Sequence, residues 1–212
     1  MILCDVGNTF LHFYHHGKIW KETKDDISKK DSKEVIFFIS VNQDSTQALL
    51  HSHPQCFNLS PYIILDTAYV GLGIDRKAAC ISIRDGVIVD AGSAITIDIM
   101  QDNIHLGGYI MPGITKYRKI FSDIAILDCE LNLAVDLEAF PQNTKDAISS
   151  GILKSIFLTI SSLSKNKKLY FTGGDGKFLS RYFPKAIFDD TLLFKGMQKV
   201  IAKEIIQKRL AQ

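Results

Sequence analysis

The 212-residue sequence has no long apolar run, little net charge and few cysteines. Its longest apolar stretches, such as residues 35–39 and 94–97, are strand-sized and far shorter than the roughly 18 residues that would span a bilayer. Basic residues exceed acidic ones by only two, far short of the surplus needed to neutralise a track of phosphates. We therefore expect no transmembrane helix, no membrane partner and no nucleic-acid partner.

The few cysteines argue against a disulfide framework and against a zinc site. Cys4, Cys56, Cys80 and Cys129 are widely scattered, without a CxxC pair or a histidine at metal-ligand spacing. The N-terminal sequence has no basic leader, and Asp5 stands where a signal peptide would be apolar. These features predict reduced thiols and a cytoplasmic location.

The chain does have enough apolar sequence for a sizeable core. Hydrophobic residues make up 46% of the sequence and charged residues 23%. This balance excludes a disordered chain, and the length allows one large domain or two closely joined lobes.

Apolar runs between turn residues predict two strand-rich blocks. Strands are predicted at residues 2–6, 10–14, 18–21, 35–41 and 62–65, and then at 86–90, 94–100, 105–110 and 169–171. The turns Asp5-Val-Gly-Asn-Thr and Asp90-Ala-Gly-Ser-Ala share an acidic residue, a glycine and a hydroxyl residue in the same order. This repeat suggests an internal duplication.

Two longer helices are predicted in the second half of the chain. Asn143 and Thr144 can cap a helix in which apolar residues recur every four positions from Ile148 to Ile160. A last helix is predicted at residues 191–210. Strands and helices in this order predict an α/β fold with mixed sheets.

The commoner nucleotide-binding motifs are excluded. Gly71-Leu-Gly-Ile-Asp-Arg has Arg76 where a dinucleotide fingerprint needs its third glycine. Gly173-Gly-Asp-Gly-Lys-Phe lacks the glycine spacing and the hydroxyl residue of a P-loop. Neither a Rossmann nor a P-loop site is therefore expected.

The first of the two similar turns has residues suited to a phosphate. Gly7 lets the backbone come close, Asn8 and Thr9 offer neutral donors, and Asp5 can hold a hard cation directly or through water. The alternative interpretation is an ordinary hairpin turn of Asp and Asn residues.

Gly73-Ile-Asp-Arg, with Tyr69 just upstream, has residues suited to an alcohol and an anion. Asp75 can accept a proton from the alcohol, and the permanently charged Arg76 can bind the anion. The alternative interpretation is that Asp75 caps a helix while Arg76 is solvated.

Four further motifs have ordinary structural explanations when each is taken alone. They are Asp90-Ala-Gly-Ser-Ala, Gly107-Gly-Tyr-Ile-Met-Pro-Gly, Asn143-Thr-Lys-Asp-Ala and Thr172-Gly-Gly-Asp-Gly. In this order, together with the turn at Asp5 and the Gly73 motif, they resemble one family. It is the type III pantothenate kinases, members of the acetate and sugar kinase, heat-shock chaperone and actin superfamily.

The resemblance implies two duplicated lobes of the ribonuclease H-like, actin-like ATPase type, with mixed sheets flanked by helices. Residues 1–84 would form a shortened N-terminal lobe, and residues 85–212 would form a C-terminal lobe with a helical dimer interface. Most family members are longer, and the resemblance implies that the residues missing here come from elements between Val41 and Asp66. Members of the family are homodimers whose substrate site lies at the interface between subunits.

The activity that the resemblance implies is ATP-dependent phosphorylation of pantothenate to 4′-phosphopantothenate, the first step of coenzyme A biosynthesis. ATP would be bound by the first turn, the strand after it and one hydroxyl of the second turn: Asp5, Val6, Gly7, Asn8, Thr9, Phe10, Leu11, His12 and Ser93. Asp5 would orient Mg²⁺ on the phosphates, and Asp90 would bind a monovalent cation, K⁺ or NH₄⁺. Most relatives have threonine at the position of Ser93.

The resemblance also implies which residues bind pantothenate. They are Tyr69, Gly73, Ile74, Asp75, Arg76 and Thr144. Asp75 would be the catalytic base, and Thr144, at the head of the long helix, would reach the substrate site of the partner subunit.

Two other functions stay open at this stage. A kinase of the same fold could act on another alcohol such as a sugar, although the repressor-type sugar kinases usually carry a Cys/His zinc cluster that this sequence lacks. Relatives in the family are also described as accessory factors in transcription, which would need only nucleotide binding or dimerisation. That role predicts a decayed site, whereas Asp75 and Asp90 stand in intact motifs.

Overall fold

The computed structural model of the chain describes residues 1–27, 34–125 and 130–210. The chain divides into two compact units, which we call the first and second lobes. The first lobe comprises Met1–Arg84, Asp102–His105 and Thr191–Gln212, and the second comprises Asp85–Gln101 and Leu106–Asp190. The lobes expected from the sequence, 1–84 and 85–212, differ from this division at residues 102–105 and at the last helix.

The first lobe is built on a five-stranded mixed sheet. Its strands are β1 (Ile2–Val6), β2 (Leu11–His15), β3 (Lys18–Glu22), β4 (Ile36–Ser40) and β5 (Cys56–Asn58). They lie in the order β3-β2-β1-β4-β5, with β1 to β3 antiparallel and with β4 and β5 parallel to β1. The reversal between β2 and β3 uses His16 and Gly17, which both have positive φ.

Strand β1 is buried on both faces because its side chains alternate between two cores. Ile2, Cys4 and Val6 pack in a core with Leu49 of helix α1 (Gln43–Ser52). Leu3 packs in a second core with residues of helices α2 (Ile74–Ile81) and α6 (Leu192–Leu210). The alternation puts Asp5, near the carboxyl end of β1, on the same face of the strand as Leu3.

Helix α6 belongs to the first lobe because its apolar residues complete the core around Leu3. Phe194 is 4% exposed and Met197 is fully buried in that core. The helix also comes very close to α2, since a Cβ on Gly196 would lie 1.8 Å from the carbonyl oxygen of Ala78. The periodicity of residues 191–210 indicates a buried helical face but does not say which lobe covers it.

The second lobe repeats the strand order of the first. Its strands are β7 (Gly86–Ala91), β8 (Ala94–Gln101), β9 (Ile104–Pro112, which begins in the first lobe), β10 (Leu169–Thr172) and β11 (Ile187–Phe188). They lie in the order β9-β8-β7-β10-β11, with β7 and β8 antiparallel and with β10 and β11 parallel to β7. A sixth, two-residue strand, β6 (Asp66–Thr67) of the first lobe, lies beside β9 at the edge of this sheet. The expected α/β fold of two mixed sheets flanked by helices is confirmed, and the matching strand orders support the duplication.

The core of the second lobe lies between this sheet and helix α4 (Thr144–Leu163). Asn143 is the N-cap, and its side chain accepts a hydrogen bond from the backbone N–H of Asp146. Ile156 and Ile160 are fully buried against the sheet. The long helix and its cap, predicted from the apolar spacing, are therefore confirmed. The lobe also contains α3 (Ile114–Ala125) and the short α5 (Gly176–Leu179).

One strand prediction is wrong. Residues 62–65 are not a strand, because the chain forms a 3₁₀ turn at Ser60–Tyr62 and buries only Ile63 of the following apolar residues. Ile64 is 80% exposed. A two-residue strand, β6 (Asp66–Thr67), follows and pairs in parallel with Ile104 and His105 at the start of β9.

The described helices are too short or too polar to cross a membrane. Cys4, Cys56 and Cys80 are free thiols, as expected, and Cys129 lies outside the described residues. Burial raises the pKa of the Cys56 thiol to about 11, and burial also raises the pKa of Cys4. Both thiols therefore stay protonated and unreactive near neutral pH.

Candidate active site

The turn between β1 and β2 exposes the residues predicted to meet a phosphate. The backbone N–H of Gly7 donates to the carbonyl of Phe10 at 3.0 Å and closes the turn. Asn8 and Thr9 are exposed, and Asn42 Nδ2 donates to Asn8 Oδ1 at 3.3 Å. Val6 and Leu11, on either side, are core residues, so any contact that they make with a nucleotide would be through the backbone.

Three side chains form a row across the sheet beside this turn. The strand register pairs Asp5 with His12 and His12 with Lys21, and His12 Nδ1 lies 3.9 Å from Asp5 Oδ2. Lys21 Nζ lies 4.4 Å from the centre of the Phe10 ring, within cation–π range. Burial lowers the pKa of His12, and the charge of Lys21 lowers it further, so His12 is neutral at pH 7.

Asp75 lies in the first turn of α2. Gly73 is the N-cap residue, with extended backbone and no side-chain hydrogen bond, so Asp75 stands two positions inside the helix. Asp75 Oδ1 accepts a hydrogen bond from the backbone N–H of Arg76 at 2.8 Å. The half-buried carboxylate is therefore held at the start of the helix, but it is not the capping residue that the alternative interpretation required.

Arg76 and Tyr69 lie together in the first lobe. Arg76 is only 8% exposed, which rules out the solvated arginine of the alternative interpretation. Its guanidinium carbon lies 5.0 Å from the centre of the Tyr69 ring, a cation–π contact that keeps the charge beside a half-buried aromatic ring. Tyr69, Asp75 and Arg76, which the resemblance assigns to substrate binding, are thus brought together by the fold.

Two residues of this cluster were not found from the sequence. Thr67 Oγ1 lies 2.8 Å from His105 Nδ1, and the same oxygen accepts the backbone N–H of Tyr69 at 3.0 Å. The His105 ring lies 6.0 Å from the Tyr69 ring, and its side chain is buried. Thr67 and His105 are 38 residues apart, and no local sequence pattern links them.

The second similar turn lies in the second lobe, between β7 and β8. Asp90 is half-buried at the end of β7 and is paired in register with Thr96 and Thr172. Ser93 is exposed, and its carbonyl accepts the backbone N–H of Gly113 at 3.1 Å. The turn at Asp90 and the Gly-Gly-Tyr-Ile-Met-Pro-Gly segment are therefore neighbours.

The Thr172-Gly-Gly-Asp-Gly segment packs directly on this turn. The backbone N–H of Asp175 donates to the carbonyl of Ala91 at 2.9 Å. Gly173 has a φ of +82°, and a Cβ there would lie 2.4 Å from Asp90 Oδ1 and 2.5 Å from the Ala91 oxygen. Only glycine fits this position without displacing Asp90.

Thr144, the remaining predicted substrate contact, is the first residue of α4 and is exposed. It follows the capping Asn143, so the fold presents its side chain at the N-terminal end of the helix. Within the second lobe, Asp90 and Ser93 lie on the same turn, and Thr144 lies on a separate element.

Comparisons with known proteins match this chain to one family. The family model of the type III pantothenate kinases matches residues 18–166. A type III pantothenate kinase of Helicobacter hepaticus is 58% identical over 97% of this chain and its own full length. One from Wolinella succinogenes is 52% identical over 95% of this chain and 96% of its own.

A solved structure has the same fold as this chain. It comes from Campylobacter jejuni, is described as a conserved Baf family transcriptional activator, and is 48% identical with a TM-score of 0.86. The match covers 96% of this chain and 98% of that one. The family model and the two curated relatives each match well over half of the chain. The chain therefore belongs to the type III pantothenate kinase family.

Proposed function

We propose that this protein transfers the γ-phosphoryl group of ATP to the hydroxyl of pantothenate and forms 4′-phosphopantothenate, the first step of coenzyme A biosynthesis. The observation that carries the proposal is the cluster in which the Asp75 carboxylate is fixed beside the buried Arg76, whose charge lies on the Tyr69 ring. Two relatives that are 58% and 52% identical to this chain carry the name of this kinase. We assign the reaction to the cytoplasm.

Asp75 is the proposed catalytic base, and it does not need to ionise the alcohol before the transfer begins. A carboxylate is far too weak a base to ionise an alcohol in advance. In phosphoryl transfer the transition state is loose, so the base needs only to align the hydroxyl and accept its proton as the new bond forms. The hydrogen bond from the Arg76 backbone holds one oxygen of Asp75 in place for this alignment.

Pantothenate would be bound by the residues around Asp75. Arg76 supplies a permanent positive charge for the carboxylate of pantothenate, and Tyr69 supplies an aromatic wall. Gly73 is the N-cap of α2 and Ile74 is its first residue, so both would present backbone groups to the substrate.

ATP would be bound by residues 5–12 and by the Ser93 hydroxyl. The exposed Asn8 and Thr9 offer neutral donors to phosphate oxygens. The carboxylate of Asp5, whose side chain is 17% exposed, is the hard oxygen ligand that suits Mg²⁺, directly or through water. Mg²⁺ bound with ATP would neutralise charge on the phosphates.

Asp90 is the proposed ligand of a monovalent cation, K⁺ or NH₄⁺. The turn offers an anionic oxygen, and Gly173 leaves space for it beside the carbonyl of Ala91. These oxygen donors fit a hard monovalent cation. Charge supplied here would support the phosphates of ATP during transfer.

A homodimer is the proposed functional form, with Thr144 contributing to the substrate site at the interface. Support comes from apolar side chains that the second lobe leaves in solvent near this helix. Phe140 is 89% exposed and Leu158, on α4, is 55% exposed. A second copy of the chain would remove such surface from water.

A second candidate is an accessory role in transcription, and one observation favours it. The similar Campylobacter jejuni structure is described as a transcriptional activator. Such a role needs no intact catalytic base, whereas Asp75 is fixed in position here. A sugar kinase of the same fold is the remaining alternative.

An ADP-release assay on the full-length protein separates these functions. The variant Asp75→Asn should lower kcat by about 10²- to 10⁴-fold while ATP still binds. Asp44→Asn is the matched control, because Asp44 stands at the same helical position in α1 and is exposed. Pantothenate-dependent turnover that needs K⁺ or NH₄⁺ supports the proposal. Turnover with glucose alone favours a sugar kinase, and no turnover under any condition favours the accessory role.

A further inference from the structure

The buried imidazole of His105 has no part in the reaction proposed above. Its side chain is 2% exposed, and it stands second in β9, opposite Thr67 of β6. A ring nitrogen of His105 also lies within 4.8 Å of the Cys80 sulfur, on the buried side of α2. Burying a polar side chain costs free energy unless it is hydrogen-bonded. The partners of the His105 imidazole therefore indicate which part of the structure it positions.

The Thr67 hydroxyl links the imidazole to the backbone at Tyr69. Thr67 Oγ1 lies 2.8 Å from His105 Nδ1 and accepts the Tyr69 N–H at 3.0 Å. A hydroxyl has one proton and two lone pairs, so it can make both bonds at once. The backbone of Tyr69 is therefore held in place by the Thr67 hydroxyl. That hydroxyl is itself anchored by His105 of β9.

The ring of Tyr69 extends this chain of contacts to the guanidinium of Arg76, the proposed partner of the pantothenate carboxylate. On one side the His105 ring lies 6.0 Å away at an interplanar angle of 53°. On the other side the Arg76 guanidinium carbon lies 5.0 Å from the ring centre. Both distances are those of favourable aromatic and cation–π contacts. A shift of Tyr69 would therefore move the surface on which Arg76 rests.

The residues that directly follow Tyr69 are exposed, so Tyr69 must be held in place from its N-terminal side. Val70, directly after Tyr69, is 93% exposed, and Gly71 turns the chain with a φ of +76°. Tyr69 is thus the half-buried residue before an exposed reversal that leads into α2. The hydroxyl of Thr67 holds it at its N-terminal side.

We propose that Thr67 and His105 are positioning residues that set the affinity for pantothenate by holding Tyr69 and, through its ring, Arg76. The proposal rests on the proposed function, because it takes Tyr69 and Arg76 as the substrate-binding residues. Neither Thr67 nor His105 needs to touch the substrate, ATP or the transferred group. Their loss should therefore act on pantothenate binding and leave the ATP side of the reaction unchanged.

The first test replaces Thr67 in the full-length protein and measures both Michaelis constants. Thr67→Val keeps the shape of the side chain and removes the hydroxyl. It should raise KM for pantothenate about tenfold or more, which corresponds to about 1.4 kcal/mol. KM for ATP should change less than about twofold. Thr67→Ser keeps the hydroxyl and should restore KM for pantothenate to near the wild-type value.

A control and a second variant keep the test decisive. Ser82→Ala removes a hydroxyl that donates to Ala79 O at the far end of α2, and it should leave both constants unchanged. His105→Phe keeps an aromatic ring beside Tyr69 but removes the partner of Thr67. If Thr67→Val does not fold, judged by its thermal unfolding, His105→Phe and Thr67→Ser carry the comparison.

A double substitution shows whether Thr67 acts through Arg76. In an Arg76→Lys background, Thr67→Val should raise KM for pantothenate by much less than it does alone, because the geometry that Thr67 maintains has already been lost. Full additivity would overturn the proposal, as would a KM for pantothenate that Thr67→Val leaves within about twofold of wild type. If Arg76→Lys itself leaves pantothenate turnover unaffected, the assignment of the substrate site fails instead.

Discussion

Replacing Gly173 with alanine should lower the stability of the second lobe and disturb the proposed cation site. The residue has a φ of +82°, where alanine costs about 1–2 kcal/mol. Its Cβ would lie 2.4 Å from Asp90 Oδ1 and 2.5 Å from the Ala91 oxygen, about 1 Å inside ordinary contact. Relieving such an overlap in a packed site costs about 1–3 kcal/mol more.

The expected loss of stability is therefore about 2–5 kcal/mol, a large part of the total for a domain. Urea unfolding measures it, and with an m value of roughly 2.5 kcal/mol/M the midpoint should fall by roughly 1–2 M. Because the overlap also pushes the Asp90 carboxylate aside, half-maximal activation by K⁺ should need a higher K⁺ concentration.

Gly174→Ala is the matched control. Gly174 has ordinary φ, and a Cβ there would meet no atom within 4 Å. Its substitution should change stability by at most about 0.5 kcal/mol. If the Gly173 and Gly174 variants unfold at the same urea concentration, the packing derived for the turn at Asp90 is wrong.

Three further substitutions test other parts of the chain. Lys21→Met should raise the pKa of His12, because the ammonium charge now lowers it; NMR titration of His12 checks this, and an unchanged pKa would contradict the row of side chains. The pKa of His12 is lower in the folded protein than the usual 6.5 of the unfolded chain, so the unfolded chain binds the proton more tightly. Lowering the pH below 6.5 should therefore reduce the stability of the wild type more than that of Lys21→Met, as measured by unfolding at a series of pH values. Gly196→Ala should destabilise the first lobe by more than about 2 kcal/mol in thermal unfolding, because its Cβ would strike Ala78 O at 1.8 Å. Ser93→Ala should raise KM for ATP and leave KM for pantothenate unchanged in steady-state assays.

Local patterns were sufficient where one element decides its own structure. The cap at Asn143 and the apolar spacing up to Ile160 predict α4, because capping and helical periodicity act within a few residues. The same spacing cannot say which surface covers a helix, so α6 was expected in the lobe that precedes it in sequence. Its true partners, such as Leu3, lie almost two hundred positions away.

Apolar composition alone was misleading at residues 62–65. Ile63 is buried, but Ile64 is 80% exposed, and these residues do not pair with a strand of either sheet. The pairing that does form nearby involves only two residues of β6 and depends on β9, far along the chain.

The candidate site was predictable as motifs but not as a structure. The motifs identify Asp75 and Arg76, yet they do not show that Arg76 is buried against Tyr69. They also miss His105 and Thr67, whose contact depends on tertiary pairing and leaves no mark on the sequence around either residue.

The most direct test of the central claim is the product formed from ATP and pantothenate by the full-length wild-type protein, followed by mass spectrometry beside the Asp75→Asn variant. The wild type should convert pantothenate to a species heavier by one phosphoryl group, with one ADP formed for each, and Asp75→Asn should form almost none while remaining folded. A protein that binds ATP but leaves pantothenate unmodified, or an Asp75→Asn variant as active as wild type, would contradict the account.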